Sequence, residues 1–70
     1  MTRHDKLTFT AEYCRSIRLA FRIRNDALFI KSNAGNYCQV CFNLYNLSEE
    51  YIIKMINEYC DDCSISRYNK

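Results

Sequence analysis

The chain has no proline, no tryptophan, one glycine and one histidine. Each scarcity excludes something. With Gly35 as its only glycine and no proline, the chain is neither collagen-like nor a Pro-rich or Gly/Ser-rich linker. A loop that cradles phosphate with glycine backbone needs more than Gly35 can supply. The lone His4, in a polar N-terminal stretch, leaves no base to pair with a nucleophile. Asp61 and Asp62 read as helix-end polarity rather than as paired catalytic carboxylates. Apolar runs are short as well. The longest is Ala27-Leu28-Phe29-Ile30, far below the roughly 20 residues of a membrane span. No signal-like segment precedes it. The expectation is a non-enzymatic protein with no membrane association, located in the cytoplasm. Its five cysteines, an odd number, are expected to be reduced rather than a disulfide framework.

What is present suits one small folded domain spanning residues 1–70. Hydrophobic residues make up 49% and charged residues 26%, which is too apolar for a disordered chain. At this size the unfolded chain buries only about 60% of its surface on folding, so stability is marginal. Residues 1–6 and 64–70 are expected to be mobile ends. The net charge of +2 is small, but it is unevenly spread. Residues 1–37 carry seven Lys/Arg against three Asp/Glu, a net +4. Residues 38–70 carry three against five, a net −2. Such asymmetry favours a basic face. Seven Asn, seven Ile and six Tyr point to an AT-rich coding sequence, a composition common among small phage and plasmid accessory proteins.

A helix is expected from about residue 48 to residue 61. Ser48 is an N-cap residue, and Glu49 and Glu50 favour the positive end of the helix dipole. Ile52, Met55, Ile56, Tyr59 and Cys63 then recur along one helical face, with Glu50 and Lys54 on the other. Residues 16–32 alternate instead. Ile17, Leu19, Phe21 and Ile23 interleave with Arg18, Ala20, Arg22 and Arg24, a period of two. Asn25-Asp26 makes a two-residue turn that pairs Ile23 with Leu28 and Phe21 with Ile30. Residues 37–45 alternate again, placing Cys38, Val40, Phe42 and Leu44 on one side. A five-residue loop over 33–37 would set Val40 opposite Ile30 and Phe42 opposite Leu28. The predicted fold class is therefore α+β: a three-stranded antiparallel meander packed against one C-terminal helix, in the order β-β-β-α. Residues 8–10 form a short edge strand or a lead-in. The alternative is α-β-β-α with residues 10–24 helical, because Tyr13, Ile17 and Phe21 also fit a helical period.

Cys38, Cys41, Cys60 and Cys63 form two C-x-x-C pairs with eighteen residues between them. Four thiolates at that spacing would satisfy tetrahedral zinc, and a metal would staple a small core. The other reading is that these are core cysteines, because free Cys packs as a small buried hydrophobe. Val40 and Phe42 favour a strand, which would send Cys38 and Cys41 to opposite faces. Cys14 lacks a partner at ligand spacing.

The meander leaves Arg18, Arg22, Arg24, Phe29 and Lys31 on the face away from the helix. These are the candidate partner-binding residues. A small module that works by occupying a surface is the leading expectation, in the manner of a phage-type inhibitor or adaptor bound to a host protein. A nucleic-acid module using the same basic face is the alternative.

Overall fold

A computed structural model describes residues 3–68, with side chains from Lys6 onward. In chain order the elements are α1 (Arg3–Ser16), β1 (Phe21–Arg24), β2 (Ala27–Lys31), β3 (Tyr37–Cys41), a 3-10 turn (Leu44–Asn46) and α2 (Glu49–Asp62). The strands form one antiparallel meander in the order β1-β2-β3. The fold is thus the expected α+β meander followed by a C-terminal helix, with a further helix at its N-terminal end. That helix replaces the edge strand considered for residues 8–10, and it stops at Ser16 rather than running to residue 24. Met1 and Thr2 lie outside the described residues, while residues 3–6 belong to α1.

The β1–β2 hairpin has the predicted register, with Phe21 opposite Ile30 and Ile23 opposite Leu28. Asn25, at φ 56°, takes the left-handed backbone that this tight turn requires. At the β2–β3 turn the Gly35 N–H donates to Ser32 O (2.9 Å), and Gly35 itself stands at φ 94°. The single glycine is therefore spent where a side chain is least tolerated. That turn begins one residue earlier than expected, so Lys31 faces Tyr37 and Ile30 faces Cys38. The predicted pairings of Val40 with Ile30 and Phe42 with Leu28 are not formed. A β-bulge at Val40 adds one residue to β3, and Leu28 faces Cys41. The strand ends there, and Asn43 (φ 54°) turns the chain into the 3-10 segment.

Helix α2 follows its sequence signals. The Tyr51 N–H donates to the Ser48 hydroxyl (3.1 Å), and Ile52, Ile56 and Cys60 are buried. Both helices pack on the same face of the sheet, α1 toward β1 and α2 toward β3. The core between them holds Cys14, Leu19, Leu28, Ile30, Cys41, Leu44, Ile52, Ile56, Cys60 and Ile65.

Each helix leaves through the same cap. After α1 the Leu19 N–H reaches Cys14 O (3.0 Å) and the Arg18 N–H reaches Arg15 O (3.1 Å), with Arg18 at φ 59°. After α2 the Ile65 N–H reaches Cys60 O (2.8 Å) and the Ser64 N–H reaches Asp61 O (3.3 Å), with Ser64 at φ 56°. This is the Schellman pattern, built twice without glycine. The residues at the positions of its usual apolar contact, Leu19 with Cys14 and Ile65 with Cys60, are all buried in the core.

The tail after α2, expected to be mobile, packs back through residue 68. Ile65 is buried, the Tyr68 N–H donates to Ile17 O (2.9 Å), and Arg67 donates to Asn57 Oδ1 (2.7 Å) and pairs with Asp61. Asn57 in turn donates to the Tyr13 hydroxyl (2.9 Å), which links α2 to α1. Residues 69 and 70 lie outside the described residues.

Candidate interaction face and cysteine clusters

The outward positions of the sheet follow from the register. Arg22 stands beside Phe29, Phe29 beside Gln39, and Lys31 beside Tyr37, all on the side away from the helices. Arg24 is outward too, opposite Ala27. The structure therefore brings Arg22, Arg24, Phe29 and Lys31 together as expected. It does not place Arg18 among them. That residue occupies the turn after α1, where its guanidinium lies 4.9 Å from the centre of the Tyr68 ring.

Three cations and no carboxylate occupy the outward strand positions. The ion pairs among the described residues, Lys54–Glu58 and Arg67–Asp61, lie elsewhere, on α2 and its exit. Arg22 instead covers the ring of Tyr37, with its guanidinium carbon 4.6 Å from the centroid. Such a contact fixes a long side chain and leaves its charge unneutralised. Phe29 lies half-buried between Arg22, Arg24 and Tyr37.

Three residues of this face escaped the sequence reading: Tyr37, Gln39 and Phe42. The assumed loop placed Tyr37 in a turn and Phe42 in the core. The actual turn and the bulge at Val40 expel Phe42, which is 60% exposed. The Gly35-Asn36 pair in the turn was the available signal, but the bulge had none.

Around the β3 edge the surface changes character. Val40, Phe42, Leu47, Tyr51 and Met55 line a groove between β3 and α2. Its volume of about 340 Å³ is at the small end of binding pockets, and suits a side chain or two. Gln39 and Phe42 border both this groove and the depression beside Arg24 and Phe29. The basic face and the apolar groove are thus continuous.

The five cysteines divide into two groups. Cys14, Cys41 and Cys60 are buried, from α1, β3 and α2 respectively, while Cys38 and Cys63 are exposed. Burial pushes the Cys14 thiol up to about 12, and the neighbouring Cys60 and Cys41 add to that shift. Burial likewise pushes Cys41 up to about 11 and raises Cys60. The bulge alters one expectation: Cys38 and Cys41 both point to the helix side of β3, not to opposite faces. Even so, the four C-x-x-C residues do not converge on one point. Among the described residues no three of His, Cys, Asp and Glu gather closely enough to hold a metal ion. Tetrahedral zinc needs its four thiolates around one ion, and the described cysteines are not gathered in that way. His4 lies in α1, outside the residues whose side chains are described.

No helix among the described residues is long and apolar enough to cross a membrane. Comparison of the chain with protein-family models, with curated proteins and with solved structures finds no match.

Proposed function

We propose that the chain is a non-enzymatic protein-binding module that docks through the outer sheet face and the adjoining β3 edge. It would occupy a surface of its partner in the manner of a small inhibitor or adaptor. The observation that carries this reading is the continuity, at Gln39 and Phe42, of a sheet face whose outward strand positions hold three cations and no carboxylate, bordered by Asp26 at the β1–β2 turn, with an apolar aromatic groove. A protein partner can answer both halves, with carboxylates opposite Arg22, Arg24 and Lys31 and an apolar side chain in the groove. Phe42 and Tyr51 have the character of anchors, because exposed aromatics contribute most per residue at interfaces.

A nucleic-acid module remains the second reading, favoured by the same three cations at the outward strand positions. Against it, the Tyr37 ring is covered by Arg22, so the stacking platform that single strands require is reduced. The phosphate contribution would come from three cations on a chain of net charge +2.

Affinity capture from host extract with the wild type, Arg22→Ala/Arg24→Ala, Phe42→Ala and Lys54→Ala, beside titration with single-stranded and duplex oligonucleotides at several salt concentrations, separates the two. We expect one protein to be retained by the wild type and by Lys54→Ala, and lost with both face variants. Oligonucleotide binding at low salt, with a slope that each lost Arg flattens by about one unit, would replace this reading with the second.

A further inference from the structure

The two exposed thiols do not belong to the interaction face. Cys38 is the second residue of β3 and points to the helix side, opposite buried Ile30. Cys63 is the C-cap of α2. Tyr59, one turn before Cys63, has its hydroxyl within electrostatic reach of both thiols. That hydroxyl is shielded from solvent and has no hydrogen-bond partner among the described residues. Contact with Cys38, burial, and the charges that Cys38 and Cys63 can carry all raise the Tyr59 hydroxyl pKa.

Both backbones at this point are held. Cys38 sits in the β2–β3 ladder. The Cys63 N–H donates to Tyr59 O (3.0 Å), and the Asn33 amide, from the β2–β3 turn, donates to Ser64 O (3.0 Å) and Cys63 O (3.3 Å). The turn therefore ties the end of α2 to the hairpin that carries Cys38. Two exposed thiols, distant in sequence, thus stand on segments that the Asn33 amide ties together at the rim. The other three thiols are enclosed in the core.

We infer that Cys38 and Cys63 form a dithiol–disulfide site that takes a low-molecular-weight disulfide as its oxidant. One thiolate attacks a sulfur of the oxidant, forming a mixed disulfide and expelling one thiolate, which takes up a proton. The second protein thiol loses its proton to solvent base and attacks the protein-side sulfur. A second small thiolate leaves and is protonated. Two protein thiols and one small disulfide thus become one protein disulfide and two small thiols. The product clamps the end of α2 to β3 and closes a loop through the last strand and the second helix. A chain this small has much to gain from such a staple.

The test uses the folded, fully reduced protein incubated with oxidised glutathione, then acid-quenched, alkylated and mapped by mass spectrometry with cleavage between Cys60 and Cys63. We expect a Cys38–Cys63 cross-link within one chain, with Cys14, Cys41 and Cys60 alkylated only after denaturation. The oxidised form should melt about 10 °C or more above the reduced form. Cys63→Ser should retain glutathione on Cys38 and show no such rise. Glutathione on both thiols without a cross-link, a cross-link between two chains, bonding to a core cysteine, or no reaction would each overturn the assignment.

Discussion

Helices α1 and α2 are each 14 residues long, end in the same glycine-free cap and bury a cysteine at the same place in that cap. Yet only α2 announces itself. Its buried stripe is Ile52, Ile56 and Cys60, introduced by Ser48 and two glutamates. The corresponding stripe of α1 runs through Lys6, Thr10 and Cys14, of which Thr10 and Cys14 are fully buried. Thr10 is tolerated there because its hydroxyl donates to Lys6 O (2.9 Å), so the helix satisfies its own buried polar atom. Lys6 lays its stem along the body and donates its ammonium to Leu47 O at the entrance to α2. The apolar residues of α1, Leu7, Phe9 and Tyr13, pack only partly against the core. The difference teaches that a helix can be held by side chains that answer their own backbone and its neighbours, with no apolar stripe to display.

The comparison breaks hardest at Ile56, fully buried on α2. Ile56→Ala should cost about 2–5 kcal/mol, enough to unfold much of a marginal chain, as denaturant unfolding would show. A cost near zero would mean that the α2 stripe serves a partner instead of the core.

Cys14→Ser probes the equivalent depth of α1. Placing a hydroxyl in that apolar site should cost about 1–3 kcal/mol. The wild-type thiols also make stability depend on pH in a defined direction. Cys14 and Cys41 are raised from 9.0 to about 12 and about 11, so the folded chain holds protons that the unfolded chain releases. Their contribution is complete below about pH 9 and is lost as pH climbs through about 11 and 12. Thermal melts across that range should fall steadily, and less steeply in Cys14→Ser. A flat profile in the wild type would place these thiols in contact with water.

The smallest effect sharpens the likeness between the two exits. Ser64 and Arg18 both hold left-handed backbone that glycine adopts without strain. Ser64→Gly should stabilise by up to about 1 kcal/mol. Arg18→Gly should gain less, because it also removes the guanidinium from the Tyr68 ring, a contact of about 0.5–1 kcal/mol at an exposed site. Equal gains in paired melting curves would show that the Tyr68 contact contributes nothing.

Local chemistry by itself determined α2, its cap, the β1–β2 hairpin and its register. A capped stripe of period 3.6, or an alternating run with a two-residue turn, allows few other arrangements. The same alternation sufficed to gather Arg22, Arg24, Phe29 and Lys31 on one face. Tertiary structure alone decided the rest. The bulge at Val40 moved Phe42 out of the core and Cys41 into it. Helix α1 buries Thr10 and Cys14, with the Thr10 hydroxyl satisfied by Lys6 O, a placement that only the packed meander and α2 define. The division of the cysteines into a buried three and an exposed two has the same origin. Their spacing was compatible with a metal cluster, but spacing carries no direction, and the direction of each thiol was settled by strand register and helix exit.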